Sequence, residues 1–221
     1  MLQYLLKKFG KKYTIDSEIP KSRIRKEIYN RGIMLLRGIL RTRKIIFLGK
    51  NVSINNKSNI NFGKGTVIEN YCKIDGYAKE KIQFGESSKL GSYSILTVTS
   101  HLSKYGRGFK IGNNSAMGEF CHIGASGGVY IGNNVIMGQY ISFHSENHIF
   151  IDSNKDIVNQ GVTSKGINLG NNIWVGSKVT FLDGAKVGNN CVIAAGAIVN
   201  KEFPCDCVIG GVPAKVIKYL R

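Results

Sequence analysis

"LGNNIWVGSKVTFLDGAKVGNNCVIAAGAIVN", residues 169–200, carries an apolar residue at every sixth place: Leu169, Val175, Phe181, Val187, Ile193 and Val199. Four places after each of the first five stands a smaller or β-branched residue: Ile173, Val179, Ala185, Cys191 and Ala197. A period of six fits no helix, and strict alternation breaks at each Gly-Asn pair. Each unit therefore reads as one short strand and a bend. Three units close a triangular coil of parallel strands whose lead residues point inward and stack from coil to coil.

The same register extends towards the N-terminus through "IGNNSAMGEFCHIGASGG" (111–128) and "IGNNVIMGQYIS" (131–142), with leads at Ile111, Met117, Ile123, Ile131, Met137 and Phe143. A looser version starts near residue 48 and slips by two residues near 60 and 82, as expected when extra residues loop out between stacked turns. The expected fold is all-β, a parallel β-helix over 47–221 with a C-terminal tail and a loop insertion over 144–168. The stretch "FHSENHIFID" (143–152) leads into that insertion and holds two of the four histidines.

Residues 1–46 lack the repeat and hold thirteen Lys/Arg against three acids, +10 of the chain's net +17. Pro20 is placed to open a helix, with Ile24, Ile28, Leu35, Leu36, Ile39 and Leu40 as a partial apolar stripe against Arg23, Arg25, Lys26, Arg37 and Arg41. This basic, helical extension has two readings. It caps the first coil and hides its strand edges, or it makes a peripheral contact with an anionic membrane surface or a lipid-linked acceptor's pyrophosphate. A nucleic-acid partner is not expected, because no nucleic-acid module accompanies the basic run.

Five scattered cysteines (Cys72, Cys121, Cys191, Cys205, Cys207) and the short apolar stretch of "MLQYLLKKFGKKY" point to reduced thiols in the cytoplasm. No second Cys/His pair accompanies Cys205 and Cys207 at zinc spacing, so no metal is expected. No apolar run reaches the length of a membrane span.

The repeats "IGNNVIMG", "LGNNIWVG" and "VGNNCVIAAGAIV", followed by "GGVPAKVIK", resemble the hexapeptide-repeat acyltransferases over roughly residues 48–218. Within them the likeness is to the maltose/galactoside and polysaccharide (O-antigen or capsule) O-acetyltransferases. The resemblance implies a left-handed coil and a homotrimer with each active site between two prisms. It further implies acetyl-CoA as acyl donor and a carbohydrate acceptor. Counted from Ile131-Gly132, the family's catalytic histidine falls on His148; His144 falls where the sugar acetyltransferases have no histidine. Gly118 replaces an Asn of that family, which directs attention to Glu119, His122 and His144 for holding the acceptor.

An imidazole, with its ordinary pKa near neutrality, suits removal of a hydroxyl proton as the oxygen attacks a thioester. Glu146 is a candidate to orient it. By the resemblance, coenzyme A runs past Gly176, Ser177, Ala194 and Ala195, with Trp174 near the cofactor or packing, and with Lys201 and Lys215 as partners for its phosphates. Three other readings compete: N-acetyl transfer to an amino sugar or antibiotic-type acceptor, a non-catalytic scaffold, and a zinc-dependent carbonic anhydrase-like protein drawing on His101, His122, His144 and His148.

Overall fold

The computed structural model describes residues 14–220 of the 221-residue chain. Lys7, Lys8, Lys11 and Lys12 of the basic extension lie outside the described residues. One helix, α1 (Lys21–Thr42), precedes a coil of short strands that form three parallel faces. The architecture is a left-handed parallel β-helix with an N-terminal helix.

The first face runs from Phe47–Leu48 to Cys207–Gly211 and ends in the antiparallel strand Ala214–Tyr219. The second runs from Ser53–Asn55 to Ile198–Val199, and the third from Ile60–Phe62 to Glu202–Phe203. Every lead residue named above is at most 4% exposed, and so are the small residues between them, Ser115 and Cys121 included. The sequence period and the core are thus the same set of side chains. Phe143 and Phe181 stack within it, centroids 4.8 Å apart.

The corner from the third face to the first explains the Gly-Asn pairs. Asn114, Asn134, Asn172 and Asn190 adopt left-handed backbone, which Asn tolerates better than most residues. The preceding asparagines form a ladder along the coil: Asn113 Oδ1 accepts from Glu86 N, Asn133 Oδ1 from Asn113 N, Asn171 Oδ1 from Asn133 N, and Asn189 Oδ1 from Asn171 N. Each bond satisfies a backbone N–H that no strand pairing reaches.

That ladder also measures the coils. Asn171 and Asn189 are 18 residues apart, one undisturbed turn. Glu86 and Asn113 are 27 apart, and Asn133 and Asn171 are 38 apart. Both excesses leave the coil at the corner between the second and third faces.

Helix α1 lies on the first coil. Arg37 donates to Leu48 O at 2.8 Å and Arg41 to Val52 O at 2.9 Å, which satisfies strand-edge carbonyls that no preceding coil covers. Gly38 is buried against the Ile46 carbonyl, where any side chain would collide. The apolar residues of α1 do not form the single stripe expected. Met34 is buried and Ile24, Ile28 and Leu35 are half-buried, whereas Leu36, Ile39 and Leu40 are exposed.

Candidate functional site

The longer insertion is an arm. Ser145 is still part of the coil: it is 1% exposed, its Oγ donates to Gly124 O and accepts from Gly127 N. The chain leaves after it and returns at Gly166, and Ile167 is again buried in a strand. The insertion is therefore narrower than the expected 144–168, because His144 itself completes the strand Ser142–His144. His148 sits on the arm in a two-residue antiparallel pairing, opposite Val162, with Asn147 opposite Thr163. Its ring is exposed, and no hydrogen bond or ion pair to another described residue holds it.

Two carboxylates and one ammonium fix the arm. Asp183, 8% exposed, accepts from Lys165 N at 2.7 and 3.0 Å and from Gly166 N at 2.8 Å, which pins the returning end. Lys104, on the shorter 98–108 loop, reaches Glu146 Oε2 at 3.0 Å and Ser164 Oγ at 2.8 Å, so one side chain ties both ends of the arm to its neighbour. Glu146, expected to orient His148, is turned to Lys104 instead, a partner of opposite charge. Neither Asp183 nor Lys104 stood out in the sequence, since both lie outside the histidine motif they support.

His122 and His144 project from the second face on adjacent strands, rings stacked with centroids 6.0 Å apart. Burial, then the neighbouring His122, pushes the His144 imidazole below its usual range. His144 is thus held neutral, able to accept or donate one hydrogen bond at each nitrogen. His101 is apart from this pair: its Nδ1 lies 2.7 Å from Ser103 Oγ within the shorter loop. Among the described residues no three His, Cys, Asp or Glu side chains gather as metal ligands.

The corner between the first and second faces gathers most of the expected cofactor residues. Gly176 donates to Ile193 O and Ala194 to Ile209 O, so Gly176-Ser177 and Ala194-Ala195 stack in successive coils. A Cβ on Gly176 would stand 2.5 Å from Ala195 N. Only small side chains stand here, with Gly176, Ser177 and Ala194 half-exposed and Ala195 exposed, so peptide edges stay accessible along the corner. Glu119 occupies the place of Ser177 two coils earlier, and Gly118 beside it needs to be glycine, since a Cβ would stand 2.6 Å from the Gly138 carbonyl. Lys215 pairs opposite Gly210 in the closing hairpin, next to Ala194. Lys201 is not brought there; it follows the second face, at the opposite corner, with its ammonium 5.7 Å from the Phe203 ring. Trp174 is no core residue: it is 61% exposed on the outside of the first face, between Ile136 and Val192.

This corner holds an aromatic column that sequence reasoning missed. Tyr71, Tyr93, Phe120 and Tyr140 all adopt left-handed backbone and stack at 4.9, 5.1 and 5.1 Å, within 7° of parallel. Such backbone costs a non-glycine residue ~1–2 kcal/mol, and stacking returns ~0.5–1.5 kcal/mol per pair. Lys178 and then Gly196 take the next two places, so the ring wall stops where the open peptide edges begin. The signal was an aromatic two places after each Gly or Glu of "ENYCK", "GSYSI", "GEFCH" and "GQYIS".

The repeats are shared with known proteins. Residues 166–201 match the family described as bacterial transferase hexapeptide (six repeats). The galactoside O-acetyltransferase of Escherichia coli K12 is 46% identical over 55 residues, 25% of this chain and 27% of that protein. The probable acetyltransferase Rv3034c of Mycobacterium tuberculosis is 24% identical over 180 residues, 80% of this chain and 51% of that one. The lipopolysaccharide biosynthesis O-acetyl transferase WbbJ of E. coli K12 is 42% identical over 55 residues, 25% of this chain and 28% of that protein. The chain thus spans between about a quarter and a half of the length of these curated relatives. Among solved structures, a mutant of the N-acyltransferase AntD from Bacillus cereus, in complex with dTDP and coenzyme A, superposes with a TM-score of 0.52. It is 14% identical, and the match covers 78% of this chain and 86% of that one, which supports the fold.

Proposed function

We propose that this protein, a left-handed β-helix with the repeats of the hexapeptide-repeat acyltransferases, transfers an acetyl group from acetyl-CoA to a hydroxyl of a carbohydrate. One observation carries the reading. A 38-residue turn stands where an undisturbed one takes 18, and the excess presents an exposed imidazole, His148, on an arm anchored at both ends.

In this reading His148 takes the proton of the acceptor hydroxyl as its oxygen attacks the thioester carbonyl, and returns it to the departing thiolate of coenzyme A. The open peptide edges at Gly176, Ser177, Ala194 and Ala195 receive the pantetheine chain, with Lys178 and Lys215 beside its phosphates. His144 and His122, neighbours on the second face, hold the acceptor through their imidazole nitrogens. The tetrahedral oxyanion needs a positioned donor, for which the backbone N–H groups of the corner are the nearest class.

His148 and the coenzyme corner stand at opposite edges of the second face. A second copy that sets its corner against this arm brings the two together, which is the reason to propose a homotrimer. Phe150, Ile151, Ile157 and Val158, 56–85% exposed on the arm, give that contact an apolar surface. The polysaccharide class of acceptor rests on the likeness to the galactoside and lipopolysaccharide acetyl transferases.

The test is acetyl-CoA turnover against paired acceptors. Thiol release with neutral glycans, and none with amino sugars whose hydroxyls are blocked, supports O-transfer. Release with the amines alone assigns N-transfer instead.

A further inference from the structure

We infer that the outer face of helix α1 docks on an anionic lipid bilayer surface, independently of whether the proposed acyl transfer is right. The inner face leaves the helix no freedom to turn. Gly38 is buried against Ile46, Arg37 and Arg41 are tied to carbonyls of the first coil, and Arg31 reaches Glu69 on the next. What faces away is consequently fixed.

That outer face is apolar. Tyr29, Ile33, Leu36 and Leu40 follow one another at spacings of four, three and four residues, which places them in a single stripe along the helix. They are 70, 38, 58 and 73% exposed. A soluble helix presents polar residues on the side opposite its packed face. Here both sides are apolar.

The charges around the stripe identify the partner. Lys21, Arg23, Arg25 and Lys26 precede it, Arg43 and Lys44 follow it, and all six are exposed. The helix holds one acid, Glu27, which pairs with Arg31 at 2.8 Å. In sequence, residues 1–13 add Lys7, Lys8, Lys11 and Lys12 among Leu2, Tyr4, Leu5, Leu6 and Phe9, with no acid. An apolar stripe rimmed by cations is the pattern of a helix lying in the plane of a membrane interface. No described helix is long and apolar enough to cross the bilayer.

Two other occupants fit less well. A second copy of the same face would set one cationic rim against another. Nucleic acid would satisfy the cations but has no use for Leu36 and Leu40.

Sedimentation of the full chain with vesicles tests this. The probes are phosphatidylcholine vesicles and vesicles of phosphatidylcholine mixed with phosphatidylglycerol. Binding is expected only to the mixed vesicles and weaker in high salt. Each cation near the surface strengthens binding about fivefold, so Arg25→Ser with Lys26→Ser weakens it at least about tenfold. Leu36→Ser with Leu40→Ser also weakens it at least about tenfold, since both side chains would insert among the acyl chains. All four positions are exposed, and an unchanged melting temperature certifies the fold of each variant. Equal binding to neutral and mixed vesicles, no binding, or binding that survives Leu36→Ser with Leu40→Ser overturns the inference. So does a smaller particle mass without lipid in that variant, which would assign the face to a second copy.

Discussion

His144 and His122 stack on adjacent strands of the second face with ring centroids 6.0 Å apart, so that His122 disfavours a charge on His144. His144, partly buried as well, titrates below its ordinary value of 6.5. The unfolded chain then binds the proton first as pH falls, and folding becomes less favourable between pH 6.5 and the lowered native value. Above pH 6.5 the His144 contribution does not change with pH. His144→Gln should flatten the loss of stability below that pH, read from denaturant melts at several pH values. An NMR titration should place the His144 ring below an unstructured histidine; a value at or above it would remove the role of His144 as a neutral hydrogen-bonding group.

Lys104 spans the two loops at 3.0 Å from Glu146 and 2.8 Å from Ser164. A half-buried ion pair near the surface adds up to ~1 kcal/mol to global stability, so Lys104→Ala should lower the melting temperature by no more than about 4 °C. The arm should nonetheless loosen. Hydrogen exchange over 146–165 is expected to rise and turnover to fall several-fold, with Lys104→Arg restoring part of both.

Asp183 holds the other end through two backbone N–H groups. Its loss leaves buried donors without an acceptor, at ~1–3 kcal/mol, and a chain of this size should melt a few degrees lower, at about 2–4 °C per kcal/mol. Asp183→Ala is therefore expected to lower both stability and activity, unlike Lys104→Ala, and a calorimetric scan beside an activity assay separates them.

Lys178 stands where the aromatic column ends and the open corner begins. Lys178→Ala should raise the KM for acetyl-CoA several-fold and leave kcat near its starting value, the signature of lost binding to a part of the donor remote from the reacting carbon. A fall in kcat at constant KM would place the coenzyme elsewhere.

How far the sequence could be read differs between the coil and the site. Ile111, Phe143, Val175 and Val199 are buried where the six-residue period puts them, because one inward position per strand leaves the coil no second register. The arm was legible as an interruption, but its attachments were not. Lys104 and Asp183 act across 42 residues and across a coil, distances that no local pattern encodes. The partner of Glu146 was hidden for the same reason: two residues from His148 in sequence, it pairs with a cation from another loop. The corner residues Gly176, Ser177, Ala194 and Ala195 came together because the repeat itself carries them, whereas Lys201, outside that column, did not. Helix α1 was read as one stripe because a period alone does not say which side of a helix a neighbour will cover.

The most direct measurement is acetyl-CoA thiol release in the presence of a glycan acceptor by the native chain, His148→Ala and His144→Ala, with coenzyme binding followed separately. His148→Ala should lose at least ~10²-fold, the scale of a positioned general base, and still bind coenzyme A, while His144→Ala should chiefly weaken the acceptor's KM. Full activity in His148→Ala, with or without loss in His144→Ala, would contradict the account.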